Sequence, residues 1–105
     1  MATGYVVRRA DGTYFQGCGY GGIGSPVPYF GEELRRAKVY RTPKGALEAA
    51  KRFGGHAGAA DVSERGEAVA WRGFLVWRRG RLEEIMVAPR EFDPNDYEGN
   101  NGPLG

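Results

Sequence analysis

Cysteine and histidine are almost absent from this 105-residue sequence, which has one of each, Cys18 and His56. A single cysteine cannot form an intramolecular disulfide, so the class of small secreted domains held by disulfides is excluded. One Cys and one His are too few for a four-ligand zinc site, and no acidic stretch has the spacing of an EF-hand loop. We therefore predict a protein without metal or cofactor in a reducing compartment.

Long apolar runs are also missing. No window approaches the roughly 20 apolar residues that a membrane-spanning helix needs. The first nine residues, MATGYVVRR, lack the apolar stretch of a secretory signal peptide and are typical of a β-strand. We therefore expect a cytoplasmic protein that does not associate with a membrane.

Glycine and charge are unusual in amount or distribution. Glycine accounts for 18 residues, and all fifteen Lys and Arg residues lie at or before Arg90. Residues 1–90, with nine acids, therefore carry a net charge of +6, and residues 91–105 carry −4. We predict one α+β domain over 1–90 and an acidic, loop-like or disordered tail over 91–105. The basic body indicates a polyanionic partner, a tail that folds back over it, or an ordinary mixed surface.

Local patterns predict the elements of a small α+β fold. Thr42 as N-cap, Pro43 and the terminating pair Gly54-Gly55 predict a helix over 43–53. An Asp-Gly pair predicts a β-hairpin over 5–16, and the glycine-rich stretch 17–28 predicts a long surface loop. Further strands are predicted at 37–41, 68–71, 74–78 and 82–87, with Gly73 as a bulge or a point of close backbone approach.

These elements define the expected fold class. It is α+β, a curved antiparallel β-sheet of about five or six strands with one main α-helix, about 43–53, packed on one face. One helix covers only part of such a sheet. The rest must be covered by the glycine-rich loop, by the tail or by another molecule.

Reactive side chains are too few to predict an enzyme. Cys18 and His56 are the only conceivable pair of thiol nucleophile and imidazole base, and the residues after Cys18 cannot start the helix that usually activates such a thiol. The glycines of 17–24 lack a following helix, so they do not predict a phosphate-binding loop. We predict no catalytic residues.

The stretch 71–81 combines four Arg with three aromatic residues and contains no acid. Bases stack on aromatic rings and phosphates pair with Arg, so this strand could bind single-stranded nucleic acid. Strand alternation places one set of its side chains in the core and leaves at most one Trp exposed. Tyr, Trp and Arg are equally typical of protein-binding hot spots. The predicted binding residues are Tyr20, Tyr29, Arg72, Arg78, Arg79 and Arg81.

A family resemblance covers residues 5–53. It rests on YVVRR at 5–9, DG at 11–12, YF at 14–15, LRRAKVY at 34–40, and Thr42 with Ala46-Leu47 in the capped helix. These residues resemble small accessory proteins of bacteriophages and mobile elements, some of which inhibit host machinery, including anti-CRISPR proteins. The resemblance implies a non-enzymatic protein that occludes a site on a host protein or ribonucleoprotein, such as a CRISPR effector. The alternative is a single-stranded nucleic-acid-binding module using strand 71–81.

Overall fold

A computed structural model describes residues 2–20, 26–93 and 96 of the chain. Six strands form one antiparallel sheet in the order β3-β2-β1-β4-β5-β6, and one α-helix packs on it, which confirms the predicted fold class. The elements are β1 Ala2–Arg8, β2 Tyr14–Tyr20, β3 Pro26–Gly31, a 3-10 turn Leu34–Arg36, α1 Pro43–Phe53, β4 His56–Val62, β5 Ala68–Arg78 and β6 Arg81–Ile85. Within the described ranges, no helix has the length and apolar character needed to cross a membrane.

Helix α1 begins and ends where the sequence predicts. The Thr42 side-chain oxygen accepts a hydrogen bond from the Gly45 backbone N–H at 3.2 Å, and Pro43 occupies the first turn. Gly54, at φ 95°, ends the helix in a conformation that favours glycine. The buried residues Ala46 and Ala50 pack against the sheet, which defines its helix face.

Strand β4 lies at the centre of the sheet, between β1 and β5, although sequence analysis assigned no strand to residues 56–60. Its sequence, HAGAADV, has few of the branched or aromatic residues that favour strands. Ala57 and Ala59 face α1, and their small side chains let the helix approach. Gly58 lies under the Trp71 ring on the opposite, far face. Packing of the neighbouring elements, not local propensity, determines this strand.

The stretch 17–28 was predicted to be a surface loop, and that prediction is wrong for most of it. Residues 17–20 belong to β2 and pair with residues 26–29 of β3. The Tyr29 ring covers Gly19, so a large side chain on one strand compensates for its absence on the other. Residues 21–25, the turn of this hairpin, lie outside the described residues.

The strand predicted at 37–41 is also absent. Tyr40 forms a single antiparallel bridge with Tyr5, and the Lys38 N–H donates to the Phe15 carbonyl oxygen at 2.8 Å. Strands β1 and β2 are in register only at Arg8 and Tyr14 and then diverge. This segment lies between them where they have separated. It therefore fills a gap instead of adding a strand.

The far face of the sheet is covered by the 3-10 turn and by the segment after β6. Leu34 and Ala37 pack against the cluster that contains Val6 and Tyr14. Phe92 is 7% exposed and stacks on Phe74 with ring centroids 4.3 Å apart. Packing therefore continues beyond residue 90.

Strand β5 is buried on both faces over residues 74–76. Leu75 packs in the cluster beneath α1, whereas Phe74 and Val76 belong to a far-face cluster. The expectation that only one face of this strand is core is therefore wrong. Gly73, at φ 142°, lies at a register shift with β4, which confirms the predicted bulge.

Candidate functional site

The thiol and the imidazole of the chain lie on opposite faces of the sheet. Cys18 is exposed on β2 and pairs in register with Pro28, which shares a face of β3 with Phe30, a residue packed against the cluster under α1. His56 lies on the far face, edge-on to Phe92 with centroids 4.9 Å apart. These two groups cannot act on one substrate. The described residues also contain no group of three or more His, Cys, Asp or Glu that could hold a metal ion.

His56 is half-buried between aromatic rings of the far face. Burial lowers its pKa from the ordinary value of 6.5, and the nearby Asp93 carboxylate partly opposes that shift. Its Nδ1 atom is buried without a hydrogen-bond partner in the described part of the chain. The geometry therefore favours a neutral imidazole packed against Phe92.

Arg72, one of the predicted binding residues, is held by side chains of three other strands. It forms a two-contact ion pair with Glu84 at 2.9 and 3.2 Å, and its Nη1 donates to Thr3 Oγ1 at 2.8 Å. Asp61 lies 3.7 Å from the same nitrogen. Arg72 therefore links β1, β4, β5 and β6, and a phosphate would have to compete with two carboxylates for it.

Three other predicted residues, Arg78, Arg79 and Arg81, surround the tight turn between β5 and β6. Arg79 and Gly80 have φ values of 55° and 75°, and Arg78 pairs in register with Arg81, as in a two-residue hairpin turn. All three side chains are exposed, and Arg78 lies 3.5 Å from Glu83. The turn concentrates positive charge at one edge of the sheet.

The aromatic residues of 71–81 are mostly turned inward. Trp71 is half-buried and packs edge-on against Phe74 and Tyr14, with centroid distances of 4.9 and 6.0 Å. Trp77 is also half-buried and pairs in register with Leu82. The stretch therefore does not present the row of exposed rings that a single-strand stacking platform uses.

The paired strands β2 and β3 diverge from β1 beyond Tyr14 and form an arm, which comprises residues 16–20 and 26–30. Tyr29 is 55% exposed and Val27 is 41% exposed. Strand alternation puts both on the far face, because Phe30 lies in the cluster beneath α1. Tyr20 pairs in register with Pro26 at the end of the arm, and its side chain lies outside the described residues.

The outer edge of the arm is a β3 strand with two prolines. Cys18 and Gly19 pair with Pro28 and Val27, so prolines alternate with hydrogen-bonding residues along the edge. Proline has no backbone N–H, so neither Pro26 nor Pro28 can donate to an added strand. These two positions therefore offer no backbone donor to a further strand at this edge.

Two cations lie at the base of the arm, and sequence analysis did not select either. The Arg9 guanidinium lies 4.6 Å from the centre of the Phe30 ring, and the Lys38 ammonium lies 5.8 Å from that of Tyr40. Both are exposed, and in the described part of the chain neither forms an ion pair. The position of Lys38 depends on the 37–40 segment, which local sequence patterns assigned to a strand.

The structure does not bring all predicted binding residues together. Tyr29 lies on β3 and the arginine turn follows β5, so they flank opposite edges of the sheet. Five strand spacings separate those edges, about 24 Å in a flat sheet. The chain thus has two separate candidate surfaces, the arm and the arginine turn. No protein-family model, curated protein or solved structure matches this chain.

Proposed function

We propose that this protein is a non-enzymatic binding protein that inhibits or modulates a host protein or ribonucleoprotein by occluding a site, with the arm as its main contact element. The observation that carries the proposal is the exposure of Val27 and Tyr29 on an arm that is in register with the rest of the sheet at one residue pair. Tyrosine gives a large contact area with few rotatable bonds, so its ordering on binding costs little. Two parts of the proposal, that the partner belongs to a host and that binding inhibits it, rest on the resemblance to phage accessory proteins.

The partner surface should be apolar at its centre and acidic at its margin. Val27 and Tyr29 would supply the apolar contact on the far face. Arg9 and Lys38 lie over the rings of Phe30 and Tyr40 on the helix face, so they would meet carboxylates of a partner that reaches around the arm. Complementary charge of this kind mainly raises the association rate and fixes orientation. Binding should therefore weaken as salt increases, but should retain an apolar component.

The alternative is a single-stranded nucleic-acid-binding module that uses strand 71–81. The exposure of Arg78, Arg79 and Arg81 around one tight turn favours it. Against it stand the carboxylate partners of Arg72 and the inward packing of Trp71. In this case affinity for an oligonucleotide would fall steeply and linearly with the logarithm of salt concentration.

The test compares capture of partners by matched variants. Tagged wild-type protein, Tyr29→Ala and Met86→Ala would be used to isolate partners from host lysates, with stoichiometry measured by mass spectrometry. Met86 is the control because it is apolar and 64% exposed but follows β6, away from the arm. We expect wild type and Met86→Ala to recover the same stoichiometric partner. Recovery of that partner by Tyr29→Ala should fall about tenfold or more.

Two outcomes would contradict the proposal. Equal recovery of every partner by Tyr29→Ala and wild type would show that the arm is not part of the interface. Recovery of nucleic acid alone, reduced by Arg79→Gln and not by Tyr29→Ala, would favour the alternative module. A fluorescence-anisotropy titration with a single-stranded oligonucleotide at two salt concentrations would then measure that binding directly.

A further inference from the structure

Arg8 is held in a fixed position on the far face of the sheet. Its guanidinium carbon lies 4.7 Å from the centre of the Tyr14 ring and 4.9 Å from that of Trp71. Its Nε donates a hydrogen bond to the Gly12 carbonyl oxygen at 3.2 Å. Two rings and one carbonyl thus fix the orientation of a half-buried cation.

Most of the N–H donors of Arg8 have no acceptor within the described part of the chain. A guanidinium has five N–H donors, and in the described part of the chain only Nε of Arg8 has an acceptor. The nearest acidic residue in sequence, Asp11, instead accepts from the backbone N–H and hydroxyl of Thr13 at 2.9 and 2.6 Å. These two bonds also lower the pKa of Asp11, so its carboxylate stays charged and directed to Thr13.

A groove of about 360 Å³ opens beside Arg8. One wall is the turn between β1 and β2, residues 10–12, and the other is the segment 88–91. Arg90 and Glu91 belong to the second wall and largely balance each other in charge. Asp11 also lines the first wall, so the charged lining residues, Arg8, Arg90, Asp11 and Glu91, sum to a net charge of zero. Arg8 differs from the other three because it is half-buried and they are exposed, and the volume of the groove falls within the range of small-molecule sites.

We propose that this groove binds an oxyanion, a carboxylate or a phosphate group, through the Nη1 and Nη2 atoms of Arg8. A guanidinium fork matches two oxygens of such a group, and a half-buried cation gains more from a partner than an exposed one. The preset orientation lowers the ordering cost of binding. The site is independent of the arm, so its failure would leave the proposed function standing.

The experiment is an NMR titration of the full chain. Sodium phosphate and sodium acetate would be added at constant ionic strength, with sodium chloride as the reference, while the Arg8 Nε–H and Gly12 amide resonances are followed. We expect a saturable shift of both resonances with phosphate, acetate or both. A response to phosphate alone assigns the site to phosphoryl groups, a response to acetate alone assigns it to carboxylates, and a response to both assigns it to either oxyanion.

Matched variants identify the residue responsible. Arg8→Met removes the fork, and binding followed at the Gly12 amide should weaken about tenfold or more. Arg65→Gln, which removes an exposed arginine in the β4–β5 turn, should leave it unchanged. Should Arg8→Met not fold, Arg8→Lys keeps the charge without the fork and should also bind more weakly. Shifts no larger than those of chloride, or equal affinity in the Arg8 variants, would overturn the proposal.

Discussion

Removal of the Phe92 ring should release the segment 88–93 from the far face of the sheet. Of these six described residues, only Phe92 is buried. The ring stacks on Phe74 at 4.3 Å and meets His56 edge-on at 4.9 Å. In Phe92→Ala the segment would therefore lose its one buried anchor.

The loss of folding stability in Phe92→Ala depends on whether the segment 88–93 stays in place or moves away from the sheet. A Phe→Ala change in a rigid core costs about 3–5 kcal/mol, because a cavity remains. A segment held to the sheet by one buried side chain can move away instead, so the loss approaches the burial of one Phe side chain, about 1.5–3 kcal/mol. The lost stack adds to it, and regained chain freedom offsets part of it. We expect unfolding to become easier by about 2–3 kcal/mol.

Two assays test this in parallel. Urea unfolding of wild type and Phe92→Ala gives the stability difference, with Met86→Ala, at an exposed site, expected to stay within about 0.5 kcal/mol. NMR titration of the single histidine gives the second readout. Burial is the main cause of the low pKa of His56, so exposure should raise that pKa toward its ordinary value of 6.5. Unchanged stability together with an unchanged His56 titration would refute the docking of Phe92.

Three further predictions concern the core and the helix. Stability should fall as the pH drops below about 6.5, because His56 binds its proton less tightly in the folded chain than in the unfolded one, and His56→Asn should flatten that slope in urea titrations. Gly58→Ala should destabilise by about 1–3 kcal/mol or more, since its Cβ would lie 2.8 Å from the Gly73 carbonyl oxygen and overlap the Trp71 ring; unchanged melting and tryptophan fluorescence would contradict this. Thr42→Ala should cost about 1 kcal/mol through loss of the helix cap, and Thr42→Ser should restore most of it in the same melting assay.

Elements with local signals could be predicted from the sequence. The cap at Thr42, the proline after it and the glycines at 54–55 fix α1 within a few residues of chain, so no distant contact is needed to identify it. The turns at Asp11-Gly12 and Arg79-Gly80 are equally local, because their backbone conformations depend on the residues that occupy them.

The missed elements depend on distant partners. β4 is rich in glycine and alanine because α1 approaches one of its faces and Trp71 the other, and neither neighbour can be read from residues 56–62. The arm contains glycines that would weaken an isolated strand, but Tyr29, ten residues after Gly19, covers one of them. Arg8 has no local signal either, since Trp71 is far away in sequence.

The candidate site was predictable only in part. Tyr29 was selected for its residue type, and its side chain is 55% exposed. Arg72 was selected for the same kind of reason, but its ion pairs require Asp61 and Glu84, which the bulged register of β5 brings to it. Composition identifies the side chains that can bind, whereas strand register decides which of them remain available.

The strand order also determines how this chain can fold. Every strand pair except one joins strands that follow each other in the sequence, and such hairpins form locally within microseconds. The exception is β1 with β4, whose partners Arg8 and His56 lie 48 positions apart, so this pairing must close a long loop. We expect that closure to limit the folding rate. Substitutions along β1 and β4 should then slow folding, whereas substitutions on the arm should chiefly speed unfolding.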